Sequence, residues 1–254
     1  MLDLHVHLLG HLDRKVTKAA VREFLNAAVE KGISYIGFAD HDLYWEHFNF
    51  SLVRQVGEEY PELQVRIGLE VDYREDREEE IAAMLQACPF DYVIGSVHQI
   101  GDWLFDYPEE EKNHHKRDAD KLYKEYFAIV EKAAKSGLFD IIGHFDLIKL
   151  FGVRPQTDVR LLAAPALEAI KEAGLVVEVN TNGRYKPVQE FYPEYKLLEL
   201  IKELGIPVTL GSDAHHPGAV GRDISEACLT LQSLGVKEIN FFSGRKSIQL
   251  PLAF

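Results

Sequence analysis

Two stretches near opposite ends of the chain set imidazoles and carboxylates at the tips of apolar runs. Val208-Thr-Leu-Gly-Ser-Asp213-Ala-His215 is a short, partly β-branched run that ends in a carboxylate and an imidazole two residues apart, and Leu2-Asp-Leu-His5-Val-His7 carries two imidazoles in alternation. Alternate side chains of a strand point to one face, so His5 and His7 project together. A buried strand that delivers two ligands at its tip is the simplest physical picture of each stretch, and four ligands converge if the tips meet. The device recurs between them: Asp40 and His41 follow the run 33–38, Glu70 follows 64–69, His98 follows 92–97 and His144 follows 139–142. Imidazoles and carboxylates without thiolates suit zinc, manganese or iron. So many ligands exceed the needs of one such ion, and two or three divalent ions are expected.

Single residues read less sharply than the set. Asp40 and Asp42 serve equally well as caps of a following helix, and Glu70 alone as an ion-pair partner. His47, His114, His115 and His216 lie away from strand ends and read as surface or loop residues.

The elements that must position these groups alternate along the whole chain. Apolar spacing and stop residues predict helices over 17–31, 52–60, 75–87, 117–136, 159–173 and 194–204, with strands between them and a seventh strand at 208–211. Beyond Ala219 one helix and a short apolar run, 239–242, are expected. The segment 99–115, with Trp103, Phe105, Asp106 and Tyr107, reads as a long loop that covers a site. Strand and helix in alternation, without a linker or low-complexity stretch, imply one α/β domain spanning 1–254 and a closed parallel barrel more readily than an open sheet.

Composition narrows the partners. The 254 residues are 46% hydrophobic, and 41 acidic against 28 basic residues give a formal charge of −13. Such a field argues against nucleic acid, and a phosphate-bearing substrate would need local cations to reverse it. Cys88 and Cys228, the two cysteines, are too few for a disulfide framework and read as reduced thiols. No apolar run approaches the roughly 18 residues of a membrane span. The expectation is a soluble cytoplasmic protein with no membrane partner, its state of homo-oligomerisation left open.

The successive motifs His5-Val-His7, Ala39-Asp-His41, Gly68-Leu-Glu70-Val-Asp72, Gly95-Ser-Val-His98, Gly143-His144-Phe-Asp146, Glu178-Val-Asn180-Thr and Gly211-Ser-Asp213-Ala-His215 resemble those of the PHP (polymerase and histidinol phosphatase) superfamily, in order and over nearly the whole chain. Asp91-Tyr-Val-Ile-Gly-Ser-Val-His98, Phe105-Asp-Tyr-Pro108, Asn180-Thr181 and Tyr192-Pro193 are similar to its stand-alone histidinol-phosphate phosphatases of histidine biosynthesis. The resemblance implies a distorted TIM-like (β/α)7 barrel with a trinuclear site. One ion would take His5, His7, Glu70 and Asp213, a second would share Glu70 and add His98 and His144, and a third would take His11, His41 and His215. Leu8 stands where a threonine is usual, the loop to His11 is short, and the family's Arg-Lys pair reads Arg184-Tyr185-Lys186.

The chemistry this implies is hydrolysis of a small-molecule phosphate monoester. Two divalent ions about 3.5–4 Å apart lower the pKa of water towards neutrality and clamp a phosphoryl group for in-line displacement. Arg184 or Lys186, with Lys149 a weaker candidate, would neutralise phosphoryl oxygens, and a metal-bound water or Asp40 could supply the leaving group's proton. Histidinol phosphate also carries an amine and an imidazole, to which Asp106 and Trp103 are suited. Two alternatives stand beside it: a superfamily phosphoesterase acting on a phosphodiester or phosphotyrosine, whose metal core would be identical, and an amidohydrolase-type metal hydrolase, which also begins with His-x-His. The latter would need a modified lysine where this chain has His98. A non-catalytic module would be expected to have lost ligands, and every usual ligand position is filled.

Overall fold

Short apolar strands separated by amphipathic helices can bury both sheet faces inside a βαβ array, and this chain does so. The computed structural model describes residues 1–252. Strands β1 (Leu2–Val6), β2 (Tyr35–Phe38), β3 (Gln64–Asp72), β4 (Tyr92–Ser96), β5 (Ile141–Ile142), β6 (Val176–Asn180) and β7 (Val208–Gly211) form one parallel sheet in sequence order. Helices α1 (Lys18–Glu30), α2 (Phe50–Gly57), α3 (Glu78–Ala87), α4 (Ala119–Lys135), α5 (Val159–Ala173) and α6 (Tyr195–Leu204) lie between successive strands, and α7 (Ile224–Ser233) follows β7. Side-chain caps fix the helix starts: Thr17 accepts from Ala20 N at 3.1 Å, Asp118 from Lys121 N at 3.0 Å and Asp158 from Arg160 N at 3.0 Å.

The sheet curls into the (β/α)7 barrel, which closes at a narrow seam. Between β1 and β7 the backbone contributes one parallel bridge, Val6 to Ala214, in which His7 N donates to Ala214 O at 2.8 Å and Ala214 N to His5 O at 3.2 Å. A side chain reinforces the seam: the buried Asp3 carboxylate accepts from Ser212 N at 2.8 Å, Ser212 Oγ at 2.5 Å and Gly221 N at 2.8 Å. β1 itself is bulged, since Asp3 pairs with Ile36 while Val6 pairs with Phe38. A bulge re-aims side chains, and this one carries His5. Below the site, Tyr92 fills the barrel interior and donates to Leu4 O at 2.6 Å.

Three local details depart from expectation. β3 continues through Glu70 to Asp72, because its last residues pair with Gly95 and Ser96 of β4, so Glu70 lies within a strand and not past its end. Segment 99–115 is not structureless: Gln99–Ile100 and Trp103–Leu104 form a small antiparallel hairpin, and helical turns follow from Pro108 to His114. After α7 the apolar run lies within strand β8 (Glu238–Ser243), which is zipped to an unexpected partner, β9 (Lys246–Pro251). This hairpin stops the barrel's lower end, with Phe241 edge-on to Tyr35 at 4.8 Å and Phe242 at 6.0 Å from Tyr92. Among the described residues no helix is long and apolar enough to cross a membrane.

Candidate metal centre

The C-terminal ends of the strands bring the sequence-scattered ligands together. His5, His7 and Glu70 are buried to within 1% of full burial, and His144 is 2% exposed. Glu70 divides its carboxylate between two groups of imidazoles. Its Oε2 lies 3.0 Å from His41 Nδ1, 3.3 Å from His5 Nε2 and 3.5 Å from His7 Nε2, while its Oε1 lies 3.0 Å from His144 Nε2 and 3.7 Å from His98 Nε2. Ser96 Oγ donates to Oε1 at 2.7 Å. Asp213 Oδ1 completes the first group at 3.4 Å from His7 Nε2.

Three sets of potential ligand atoms lie within 4.8 Å of one another: His5, His7 and Glu70; Glu70, His98 and His144; and His7, His41 and His215. The first holds three of the four residues expected around one ion, without Asp213, and the second holds the trio expected around another. In the third, His7 stands where His11 was expected, and His11 stacks at the rim, its ring centred 4.8 Å from His215 and 5.4 Å from His41.

The residues fit divalent ions on three physical grounds. Buried His5 Nε2, both nitrogens of His7 and Glu70 Oε2 have no hydrogen-bond partner among the described residues, a cost that ion coordination would remove. The far nitrogens of two imidazoles are held by carboxylates, His5 Nδ1 by Glu178 Oε1 at 2.6 Å and His98 Nδ1 by Asp72 Oδ1 at 2.5 Å, so each Nε2 faces inwards. Such carboxylate–histidine pairs orient ligands and raise their basicity. Finally, the carboxylates are held ionised, as ligands must be: burial opposes ionisation of Glu70, yet facing His5 and His41 hold its carboxyl well below the usual range, and His5, His7 and His215 do the same for Asp213. Burial, then His215 and His41, press the His7 pKa well down and leave it neutral. Burial opposes a charge on His98, but Asp72 raises its pKa to about 10, so an ion bound there would displace a proton from Nε2.

Close backbone approach makes this geometry possible. A Cβ on Gly211 would meet Glu178 Oε1 at 2.1 Å and His5 Cβ at 2.6 Å, so only glycine lets β6 and β1 bring the Glu178–His5 pair together across β7. Asp213 adopts a left-handed backbone, φ 52°, unusual for a non-glycine residue, and Asn182 Nδ2 at 3.2 Å and Asn180 Nδ2 at 3.4 Å donate to its Oδ2.

A cavity of about 120 Å3 opens over this cluster, lined by His11, His41, Glu70, His98, His144, Asp213 and His215 together with Asp106, Asn182, Lys186, Tyr192, Leu147 and Leu150. Several expected contacts lie elsewhere. Lys149 is fully buried, and its ammonium is spent on Asp146 at 3.0 Å, Glu190 at 3.2 Å and Phe191 O at 2.6 Å. Arg184 turns outwards to Asp223 at 3.3 Å and lines a separate groove with Arg154 and Glu194. Trp103 belongs to the covering segment: its Nε1 donates to Glu110 at 2.6 Å and Arg117 lies over its ring at 3.9 Å. Asp40 caps no helix and does not line the cavity. Both its oxygens accept backbone amides, Leu9 N at 2.7 Å and Leu8 N at 3.1 Å, and burial raises its pKa to about 7. Asp42 likewise caps nothing and pairs with Arg77 at 2.8 Å. His114, read as a surface or loop residue, is buried against Trp103 and Phe151, with Nε2 on Phe105 O at 2.7 Å, whereas His47, His115 and His216 are exposed.

Sequence reasoning gave no role to Glu178, Asp72, Asn182 or Tyr192. A charge inside the apolar run Leu175–Asn180 was the available signal for Glu178, and its i, i+2 relation to Glu70 was the one for Asp72.

Comparison with known proteins identifies the family. A PHP domain model matches residues 3–182, and a PHP-associated model matches residues 195–225. A probable histidinol-phosphatase of Deinococcus radiodurans is 39% identical over 252 residues, covering 94% of each chain. A histidinol-phosphatase of Lactococcus lactis is 28% identical over 265 residues, covering 96% of this chain and 95% of that protein. The crystal structure of the Lactococcus lactis histidinol phosphate phosphatase, complexed with Zn, L-histidinol and phosphate, matches with a TM-score of 0.80 at 25% identity over 97% of this chain and 98% of that one. With ligand set, barrel and relatives in agreement over almost the full length, the chain belongs to the PHP-domain family, in its histidinol-phosphatase type.

Proposed function

We propose that the protein is a metal-dependent phosphoric monoester hydrolase that converts L-histidinol phosphate and water to L-histidinol and phosphate. The observation that carries this reading is the division of Glu70 between two imidazole groups, one oxygen to each. The Lactococcus lactis relative with Zn, L-histidinol and phosphate bound supports the same chemistry.

In this reading His5, His7, Glu70 and Asp213 hold one divalent ion, Glu70, His98 and His144 a second, and His41 and His215, with His11 at the rim, a third, the metal being zinc, manganese or iron. When bound, such ions lower the pKa of water and neutralise phosphoryl charge. Glu178 and Asp72 keep His5 and His98 pointing inwards. Lys186, the lysine among the cavity-lining residues, neutralises phosphoryl oxygen in a chain of formal charge −13. Hydrolysis places the water's oxygen on phosphorus and a proton on the departing alkoxide. Asp40, occupied by two backbone amides, serves in holding the loop after β1 and not as that proton's source.

The alcohol half of the substrate meets two polar atoms that the protein leaves unpaired. Asp106 Oδ1 and Tyr192 OH are buried, without a hydrogen-bond partner among the described residues, in residues that line the cavity beside Leu147 and Leu150. A carboxylate and a phenol oxygen both accept from an ammonium group, as histidinol's amine requires.

A substrate panel tests the reading. With added Mn2+ or Zn2+, phosphate release from L-histidinol phosphate should exceed that from p-nitrophenyl phosphate by at least ~10²-fold in kcat/KM, the scale of a buried polar group correctly paired. A preference for bis(p-nitrophenyl) phosphate would replace the monoesterase with a diesterase.

A further inference from the structure

Arg14 reaches from the loop after β1 to backbone carbonyls on both sides of the barrel seam. Its guanidinium donates to His215 O at 2.5 Å and, more loosely, to His7 O and Leu8 O at 3.4 Å each. His7 N to Ala214 O is the last backbone bond of the seam, so the peptide of His215 lies past the end of the ladder. The side chains on these clamped peptides stack at 4.1 Å between ring centres. They belong to the all-imidazole group of His7, His41 and His215.

A cation this close to a cluster meant for cations carries an electrostatic cost, which the surroundings reduce. Asp13 pairs with the guanidinium at 2.9 Å, and Phe24 supports it at 5.4 Å. Room for it is built in: Gly10 has φ +60°, and a Cβ there would meet Asp13 Oδ1 at 2.2 Å and Arg14 Nη2 at 2.9 Å. The left-handed φ of that turn suits glycine, and a larger side chain there would push the guanidinium and its Asp13 partner aside.

We infer that Arg14 is a positioning residue that aligns His7 with His215 across the seam and thereby sets the affinity of the all-imidazole ion site. The inference rests on the metal-enzyme reading proposed above. Loss of a residue that orients ligands typically weakens a metal site 10- to 100-fold.

The test is stepwise uptake of Zn2+ by chelator-stripped protein in competition with a chromophoric chelator. Full-length wild type, Arg14→Ala and His215→Ala are compared, the last marking the step that belongs to this site. Arg14→Ala should weaken that step 10- to 100-fold, leave the other steps within ~3-fold, and leave the melting temperature of the stripped protein within a few degrees. Should Arg14→Ala fail to fold, Arg14→Lys, whose ammonium cannot span the carbonyls with a planar fork, is read in the same way. An unchanged step in Arg14→Ala overturns the inference. Equal weakening of every step with a fall in melting temperature also overturns it, in favour of a purely structural role. Failure of the wild type to take up any ion removes the metal-enzyme reading itself, a separate outcome.

Discussion

Glu70→Gln separates a shared carboxylate from an ordinary buried acid. The amide keeps one oxygen, which can still accept from Ser96 at 2.7 Å and lie beside His144, so the substitution falls on the Oε2 group: His5, His7 and His41 at 3.0–3.5 Å. There an anionic oxygen becomes an NH2 group, which neither ligates an ion nor pairs with a charged imidazole. Removing one partner of a buried charged contact costs about 3–5 kcal/mol, equivalent to roughly 10²- to 10⁴-fold in rate when the contact serves the transition state. His11→Ala deletes an exposed ring at the rim, beside His41 and His215, and should cost only about tenfold. The assay is steady-state phosphate release from L-histidinol phosphate at saturating Mn2+, with metal content measured on the same samples. Equal losses in the two variants, or a Glu70→Gln variant within tenfold of wild type, would refute the bridging role.

Further expectations follow from other groups in the site and beside it. Stripping metal with a strong chelator should abolish phosphatase activity, and Mn2+ or Zn2+ should restore it; activity that persists in chelator contradicts the ligand assignments. Asp106→Asn and Tyr192→Phe should each raise KM for L-histidinol phosphate roughly tenfold more than KM for p-nitrophenyl phosphate, and parallel changes would disprove the amine contact. Lys149→Met leaves Asp146 buried without its cation and should cost about 3–5 kcal/mol in urea unfolding with KM little changed, because the ammonium serves the fold. His114 has its pKa lowered by burial, so the folded protein favours the neutral ring. Its stabilisation is present above the unfolded value near 6.5 and fades as pH falls through the lower folded value. Amide protection factors across 99–117, taken relative to the intrinsic exchange rate at each pH, should therefore fall on acidification, and His114→Gln, which keeps a donor for Phe105 O, should remove that dependence; an unchanged profile would count against it.

Much of the barrel and its ligands was legible because strand tips are marked twice, by an apolar run and by the ionisable residue that ends it. The alternation of His5 and His7 was enough to place both in one cluster. What the sequence concealed depends on partners distant along the chain. Lys149 and Lys186 look alike as phosphate-binding candidates, yet Asp146, three residues before Lys149, and Glu190, far beyond it, claim that ammonium. Arg184 and Lys186 are two residues apart, but the helical turn Asn182–Tyr185 sends the first to Asp223 and leaves the second on the cavity. His7 lies within reach of His41 and His215 because its ring stacks on His215 across the seam, a contact that no spacing encodes. β9 was missed because its alternating residues are mostly exposed, so no continuous apolar run marked it.

The single bridge between β1 and β7 has a consequence for how the molecule is made. Residues 3 and 212 must meet before the barrel closes, so a nascent chain still missing its seventh strand carries β1 with one edge unpaired and lacks two of its ligands, Asp213 and His215. Such long-range pairing is slow and exposes the edge to other chains. The ion-binding cluster is thus among the last parts of the molecule to mature, and translational pausing near the seventh strand should bear on yield more than pausing elsewhere.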